Sequence, residues 1–415
     1  MEQSAGRGRR KGRPQTTLIL GAACALSAAL CLAIPLYVIR PFRPQGAREL
    51  AVALTVRDFA PWISGLCAAV AILLLIWSWK VHGLLRRISM VAFSLVALLC
   101  AVLSHINIFE IMFHPYDSPA FSPASETKLD ADDKLLTVTI AGKAHGYPIR
   151  TMGYHHIVND TVGGVPIAVT YCTLCHTGLV WKRSIDGKTL HFRLAGINNG
   201  NALIRDEETG SIWQQSTGQS IFGPLKGRAL EIVRSDELTF ALWKTERPEG
   251  QILKPEARYA AEYDSIDWDK HVEKTHVVID TRRSGIEPHQ LMLGVLAAGQ
   301  AKAYPVKLML AEKLIQDQIG DEPLVLVVGP DQASIRVFRA QPPGESSALA
   351  FVRTFGTAPS EKNIMVDQQS GSLWNFQGCA VDGKWAGRCL AQMDANKDYW
   401  FDFLNHHPDA KVYRE

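Results

Sequence analysis

Three long apolar runs dominate the first quarter of the chain, and short β-branched runs separated by turn residues fill the rest. The apolar runs extend from about Thr16 to Ile39, from about Phe59 to Trp79 and from about Ile88 to Phe109, each without a formal charge. Crossing a bilayer takes roughly 20 apolar residues, so all three predict transmembrane helices. The first is too long for the h-region of a cleaved signal peptide, and no small-x-small site follows it.

Beyond His114 the pattern changes period. "VPIAVTY" (Val165–Tyr171) and "EPLVLVV" (Glu322–Val328) are apolar without alternation, which predicts strands buried on both faces. Gly, Asn and Asp punctuate the runs as turn residues do. One stretch, "VKLMLAEKLIQDQI" after Pro305, repeats its apolar positions at three and four and predicts a helix. The expected fold is an α-helical membrane anchor of three transmembrane helices, followed by a mostly-β or α+β soluble part.

That soluble part resembles itself. "AGKAHGYPI" (Ala141–Ile149) matches "AAGQAKAYPV" (Ala297–Val306), and "DEETGSIW" (Asp206–Trp213) matches "DQQSGSLW" (Asp367–Trp374). "TGQSIFGPLKGRAL" lies without gaps on "QGCAVDGKWAGRCL", pairing Gly218, Gly223, Gly227, Arg228 and Leu230 with their counterparts. Two related units are expected: an anchor at 1–114, a first unit at 115–252, a charged linker at 253–276 and a second unit at 277–415. The segments Tyr147–Gly250 and Tyr304–Ala410 should share one fold.

Charge sets the expected orientation. The net charge of +3 comes largely from Arg7, Arg9, Arg10, Lys11 and Arg13, which carries no indication of nucleic-acid binding. With that cluster and Lys80, Arg86 and Arg87 inside, the third helix exits outward. Arg40, Arg43, Arg48 and Arg57 in the first outer loop oppose this weakly. The expected place is the inner (cytoplasmic) membrane with the soluble part extracytoplasmic, and the membrane is the one partner indicated.

Eight cysteines divide along the same line. Cys24, Cys31, Cys67 and Cys100 lie in the apolar spans, where a cysteine serves as a small apolar residue. Cys379 and Cys389 fall opposite Gln219 and Ala229 of the first unit and are expected to form a local disulfide. Cys172 and Cys175, in "YCTLCHTG", fall opposite Gly329 and Gln332. The second unit lacks the pair, so a shared fold does not need it, and its role shifts from staple toward chemistry.

Four chemistries fit Cys-x-x-Cys-His. A c-type haem matches the letters, but the motif runs between two strand-like stretches and no second axial ligand is evident. A thioredoxin-type pair has its first thiolate at a helix N-terminus, and "TGLVW" after Cys175 favours a strand. A soft-metal site, with copper or zinc the natural ions, would take Cys172 and Cys175 with imidazoles from His155, His156 or His176, His155 being the best third ligand. An inert structural disulfide in a non-enzymatic binding or scaffold module is the alternative from another class. No Walker loop, dinucleotide fingerprint or nucleophile elbow is present, and the sequence assigns no catalytic class.

The segments "HHIVND", "GGVPIAVTYCTLCHTGLVW", "DEETGSIWQQSTGQSIFGPLKG" and "HHPDAKVY" together resemble the domain-of-unknown-function family 3179 of bacteria and archaea. The resemblance implies matched positions at His155, Asn159, Cys172, Cys175, Asn199, Asp206, Trp213 and Gln215. His156 stands where the family has glutamate and Thr173 where it has proline, and histidine after the second cysteine is not usual there. The family name implies no settled activity. Asp206 and Asp367 each open a "DxxxG" turn and are expected to cap it.

Overall fold

The computed structural model describes residues 13–80, 82–116, 118–263, 268–354 and 363–414. Chain contacts divide it into two units: residues 1–112 with 196–199, and residues 113–195 with 200–415. Arg7, Arg9, Arg10 and Lys11 of the basic cluster lie outside the described residues.

In the first unit, three helices are long and apolar enough to cross a membrane: α1 (Arg13–Val38), α2 (Ala47–Ser78) and α3 (Leu84–Leu103). They meet through small side chains, with Ala28, Ala68, Ala97 and Cys100 buried together. Small residues let helix backbones approach where lipid offers no hydrophobic drive between helices. Large apolar groups such as Leu26, Leu66, Leu73 and Leu99 stay exposed, as surfaces meant for lipid do. Helix α2 starts about twelve residues before the predicted span. Arg43 pairs with Glu49 in its first turn, where an acid also complements the helix dipole, so the helix extends past the apolar segment.

The second unit is mostly β. Lys134–Ile140 and Lys143–Pro148 form a hairpin, flanked by Ser235–Thr239 on one side and Gln251–Leu253 on the other. A seven-residue helix, Ile149–His155, leads into an antiparallel sheet of Ile157–Val162, Val165–Cys172 and Thr177–Lys182. Asn201–Asp206, Ile212–Gln214 and Ser220–Phe222 follow as a small antiparallel sheet.

The same order recurs downstream. Leu291–Ala297 pairs with Gln300–Pro305, and the helix Val306–Glu312 leads into Leu314–Ile319, Glu322–Val328 and Ile335–Arg339. Ala395–Tyr399 and Lys411–Val412 then flank the hairpin. Details repeat as well. The His156 N–H donates to Met152 O at 2.7 Å and the Tyr171 N–H to His156 O at 2.9 Å; the Lys313 N–H donates to Met309 O at 2.8 Å and the Val328 N–H to Lys313 O at 2.9 Å. Both corner residues adopt positive φ, 61° and 68°.

That corner corrects the helix predicted after Pro305. The left-handed Lys313 ends it at Glu312, and Leu314–Ile319 is a strand whose Ile315 and Ile319 are buried. The two strands predicted to be buried on both faces are so: every residue of Ile167–Cys172 and Leu324–Val328 is buried.

The halves share a core. Leu135, Leu238, Phe240 and Trp243 pack in one cluster with Val325, Val327, Phe338 and Trp374. Each half also closes a hairpin of the other. The Thr239 N–H donates to Ser334 Oγ (3.2 Å) and Thr239 Oγ1 to Asp331 Oδ2 (2.7 Å), while the Tyr399 N–H donates to Cys175 O (2.8 Å). Thr239 and Tyr399 both stand between a flanking strand and a short helix. This exchange carries residues near the C-terminus to the cysteine turn.

Candidate functional site

Cys172 ends its strand, paired with Thr177, and Cys175 lies in the four-residue turn between them. The two sulfurs are 2.7 Å apart as free thiols, against 2.03–2.05 Å in a disulfide. Cys175 is fully buried and Cys172 is 3 % exposed. No helix follows the pair; the next element is the Thr177–Lys182 strand. Gly200 O lies 3.7 Å from both sulfurs. Gly200 has φ +96°, and a Cβ there would come within 3.0 Å of the Phe401 ring, so this close backbone approach depends on glycine.

The rest of the site comes from far along the chain. Asn201 Nδ2 lies 3.3 Å from Cys175 Sγ, 2.9 Å from Gln215 Oε1 and 3.3 Å from Asp402 Oδ2, and also contacts the Ser216 hydroxyl. Gln214 Nε2 donates to Asn201 Oδ1 at 2.6 Å and fixes the amide orientation. Gln215 Nε2 donates to Thr170 Oγ1 and to Thr177 O, both at 3.1 Å, tying this turn to the cysteine hairpin. Asp402, on the helix Trp400–His406, is 0 % exposed; its Oδ2 accepts from Ser216 Oγ at 2.6 Å. The Thr177 hydroxyl stands 2.7 Å from Asp398 Oδ1 and 3.3 Å from Asp402 Oδ2.

Two buried carboxyls beside two buried thiols shape the electrostatics. Burial, then the contact with Cys172 and the charge of Asp402, pushes the Cys175 thiol well above its ordinary value. Burial and Asp402 likewise push the Asp398 carboxyl well up. Both effects keep protons in the site, because charge is costly in a dry interior. Behind the turn, Glu237 behaves oppositely: burial works against it, yet Lys397 at 2.8 Å and His176 hold its carboxyl well below the usual range.

The candidate histidines have other partners. His155 Nδ1 lies 2.6 Å from His114 O and Nε2 lies 3.1 Å from Tyr263 OH, inside a ring cluster with Tyr116, Tyr154 and Tyr259. His156 Nδ1 lies 3.1 Å from Tyr154 O, and its ring packs on Phe113. His176 packs against Tyr171 and Tyr399, with Nε2 3.6 Å from Glu237. Among the described residues, no group of three or more His, Cys, Asp or Glu is arranged to hold a metal ion.

Of the other family-matched positions, Gln215 belongs to the network around the cysteines, and the rest have partners away from it. The Asn159 side chain bonds both backbone groups of Phe192 at 3.0 Å. Asp206 accepts the Thr209 N–H at 2.6 Å and the Trp213 indole N–H at 2.8 Å, as its turn-capping reading expects, and Asp367 does the same for Ser370 and Trp374. Asn199 belongs to the first unit, where its N–H donates to Gln45 Oε1 at 3.0 Å. The amide at the cysteines is therefore Asn201, two residues on. Cys379 and Cys389 are joined in a disulfide, at the position where the first half has the bridge Gln219–Ala229.

Sequence reasoning missed Asn201, Ser216, Asp398 and Asp402. The one signal for the last was Asp402 with His406, spaced four apart next to the matched "HHPDAKVY" segment.

No curated protein and no solved structure matches the chain. The profile of a protein family of unknown function, DUF3179, matches residues 110–410. That span includes the hairpin with both cysteines and the C-terminal helix that brings Asp402 to them, so the chain is a member of the DUF3179 family.

Proposed function

We propose that this protein is a membrane-anchored thiol–disulfide exchange centre, with its soluble part on the extracytoplasmic side of the cytoplasmic membrane. The observation that carries the reading is the 2.7 Å approach of Cys172 and Cys175 within a buried polar network. Closing a disulfide from that position needs little motion of the hairpin.

The second half argues against a purely structural pair. We infer that residues 115–252 and 277–415 are two copies of one unit. Gly329 stands at the place of Cys172, and that hairpin closes through its own backbone, the Gly329 N–H donating to Ser334 O at 2.8 Å. A sulfur pair is therefore an addition to the unit and not a condition for building it.

In the exchange, a thiolate at Cys172 attacks one sulfur of a substrate disulfide and expels the other as a thiolate, which takes up a proton. Cys175 then loses its proton and attacks Cys172 Sγ, forming the internal disulfide and releasing the second substrate thiol. Two thiols and one disulfide enter, and one disulfide and two thiols leave. Cys172 is the sulfur met first, being the less deeply buried.

The test is to treat the full chain in detergent with oxidised glutathione, block free thiols by alkylation and analyse the digest by mass spectrometry. A Cys172–Cys175 linkage reversed by dithiothreitol is expected. Two alkylated cysteines after every treatment would reject the reading.

A further inference from the structure

Exchange at Cys172 requires a second sulfur to reach it, yet Cys172 is 3 % exposed and Cys175 is fully buried. The backbone set against both sulfurs is a tight turn. The strands Phe192–Asn198 and Asn201–Asp206 are neighbours in one sheet, joined by Asn199 and Gly200 alone. Both joining residues have positive φ, 51° and 96°, as a two-residue hairpin turn of this kind requires, and Asn-Gly is a preferred pair for it. Gly200 O lies 3.7 Å from each sulfur, and the amide of the next residue, Asn201, lies 3.3 Å from Cys175 Sγ. In the second half, which has no cysteines in its hairpin, the matching strands Phe351–Arg353 and Asn363–Asp367 are joined through the longer segment 354–362.

Asn199 is held by Gln45, a residue of the same compact unit, in the chain between α1 and α2. The Gln45 N–H donates to Asn199 Oδ1 (2.8 Å), the Asn199 N–H donates to Gln45 Oε1 (3.0 Å), and Asn199 Nδ2 donates to Gln45 O (3.3 Å). Gln45 Nε2 donates in turn to Val38 O (2.7 Å) and Arg40 O (3.1 Å), at the end of α1. Glutamine is mostly an exposed residue, but Gln45 is 6 % exposed, and each of its polar groups is engaged by the turn or by the end of α1. A two-residue turn has no slack, so holding Asn199 holds Gly200 against the sulfurs.

We infer that the Asn199–Gly200 turn is the cover of the cysteine pair and that Gln45 is the positioning residue that latches it, so that Cys172 meets a substrate disulfide only when the turn lifts. This control of access rests on the thiol–disulfide reading above. It places the latch in the segment joining two membrane helices and the reacting sulfurs one residue beyond the latched Asn199.

The experiment treats the full, folded chain in detergent with iodoacetamide at fixed pH and follows alkylation of Cys172 by mass spectrometry, which reads the cover without any redox step. Asn199→Gly keeps a residue suited to positive φ and deletes the two bonds made by the Asn199 side chain. Gln45→Ala deletes the third bond and the side-chain hold on α1. One net hydrogen bond shifts an opening equilibrium by roughly two- to tenfold, so alkylation of Cys172 should accelerate at least about fivefold in Asn199→Gly and about twofold in Gln45→Ala. Asn199→Asp, which still accepts the Gln45 N–H, should fall between wild type and Asn199→Gly. Reaction of Cys172 with oxidised glutathione should accelerate by the same factors, because one opening precedes both. Alkylation of Cys100, buried in the helix bundle, should keep its wild-type rate.

Alkylation of Cys172 at the wild-type rate in folded Asn199→Gly overturns the inference alone, as does an acceleration that Cys100 shares equally. If Asn199→Gly does not fold, Gln45→Ala decides by the same comparison. Absence of any internal disulfide in the wild type after oxidised glutathione overturns the thiol–disulfide reading itself, and this inference with it.

Discussion

Arg336 offers a direct test of whether the two halves of the soluble part form one structure. It comes from the second half and is 6 % exposed. Its guanidinium reaches Asp236 Oδ2 through Nε (2.9 Å) and Nη2 (2.8 Å), and Glu246 through Nη1 (2.9 Å) and Nη2 (2.8 Å), both acids belonging to the first half. Glu246 is only 4 % exposed. Replacing Arg336 with Met keeps much of the volume but leaves that carboxylate buried without its cation. Breaking one side of a buried pair costs about 3–5 kcal/mol, because the remaining charge is uncompensated. Unfolding entropy near 2.1 cal/mol/K per residue gives about 0.6 kcal/mol/K for roughly 300 residues, so the melting temperature should fall by about 5–8 °C. Adding Asp236→Asn and Glu246→Gln removes the stranded charges and should recover most of the loss. The assay is tryptophan fluorescence during thermal unfolding of the full chain in detergent, with one transition expected for both halves. A shift in Arg336→Met below about 2 °C, or two separate transitions in the wild type, would refute the reasoning.

His156 predicts an acid-sensitive stability. Burial pushes its pKa down to about 4 against about 6.5 unfolded; its contribution is therefore fully present above pH 6.5 and is lost as pH falls toward 4, by about 3 kcal/mol. His156→Asn, which tolerates the positive φ, should flatten that part of the pH–stability curve, and parallel curves for variant and wild type would contradict the assignment. For topology, an export-dependent reporter fused after His114 should be active, whereas activity of a cytoplasm-only reporter there would reverse the proposed orientation.

Much of the architecture was legible because it follows from one-dimensional patterns. Charge-free runs marked three membrane helices, and unbroken apolar runs marked Val165–Cys172 and Glu322–Val328 as strands buried on both faces. The stretch after Pro305 misled because Leu, Met and Ala fit either period, and what ended the helix was the left-handed turn at Lys313, which a lysine does not announce. The extent of α2 was hidden for a similar reason, since its first turns are polar. The site was legible only in its local part. Cys172 and Cys175 are near in sequence, but Asn201 and Asp402 reach them through tertiary packing, 26 and 227 residues beyond Cys175. Asp402 arrives because the second half closes the first half's hairpin, a relationship that pairwise spacing does not encode. The histidines were attractive as ligands for their nearness in sequence, and the antiparallel pairing of Ile157–Val162 with Val165–Cys172 does bring His156 beside Tyr171, but the rings of His155 and His156 turn to Tyr263 and Phe113.

The measurement closest to the central claim is the equilibrium redox titration of the full chain in glutathione buffers, with the thiol state of Cys172 and Cys175 read by alkylation and mass spectrometry and bound metal quantified in the same samples. The thiol–disulfide account predicts one reversible two-electron transition, about 30 mV per tenfold change in equilibrium constant, that disappears in Cys172→Ser. A pair that stays reduced across the whole range, or that holds stoichiometric zinc or copper lost in Cys172→Ser, would contradict it.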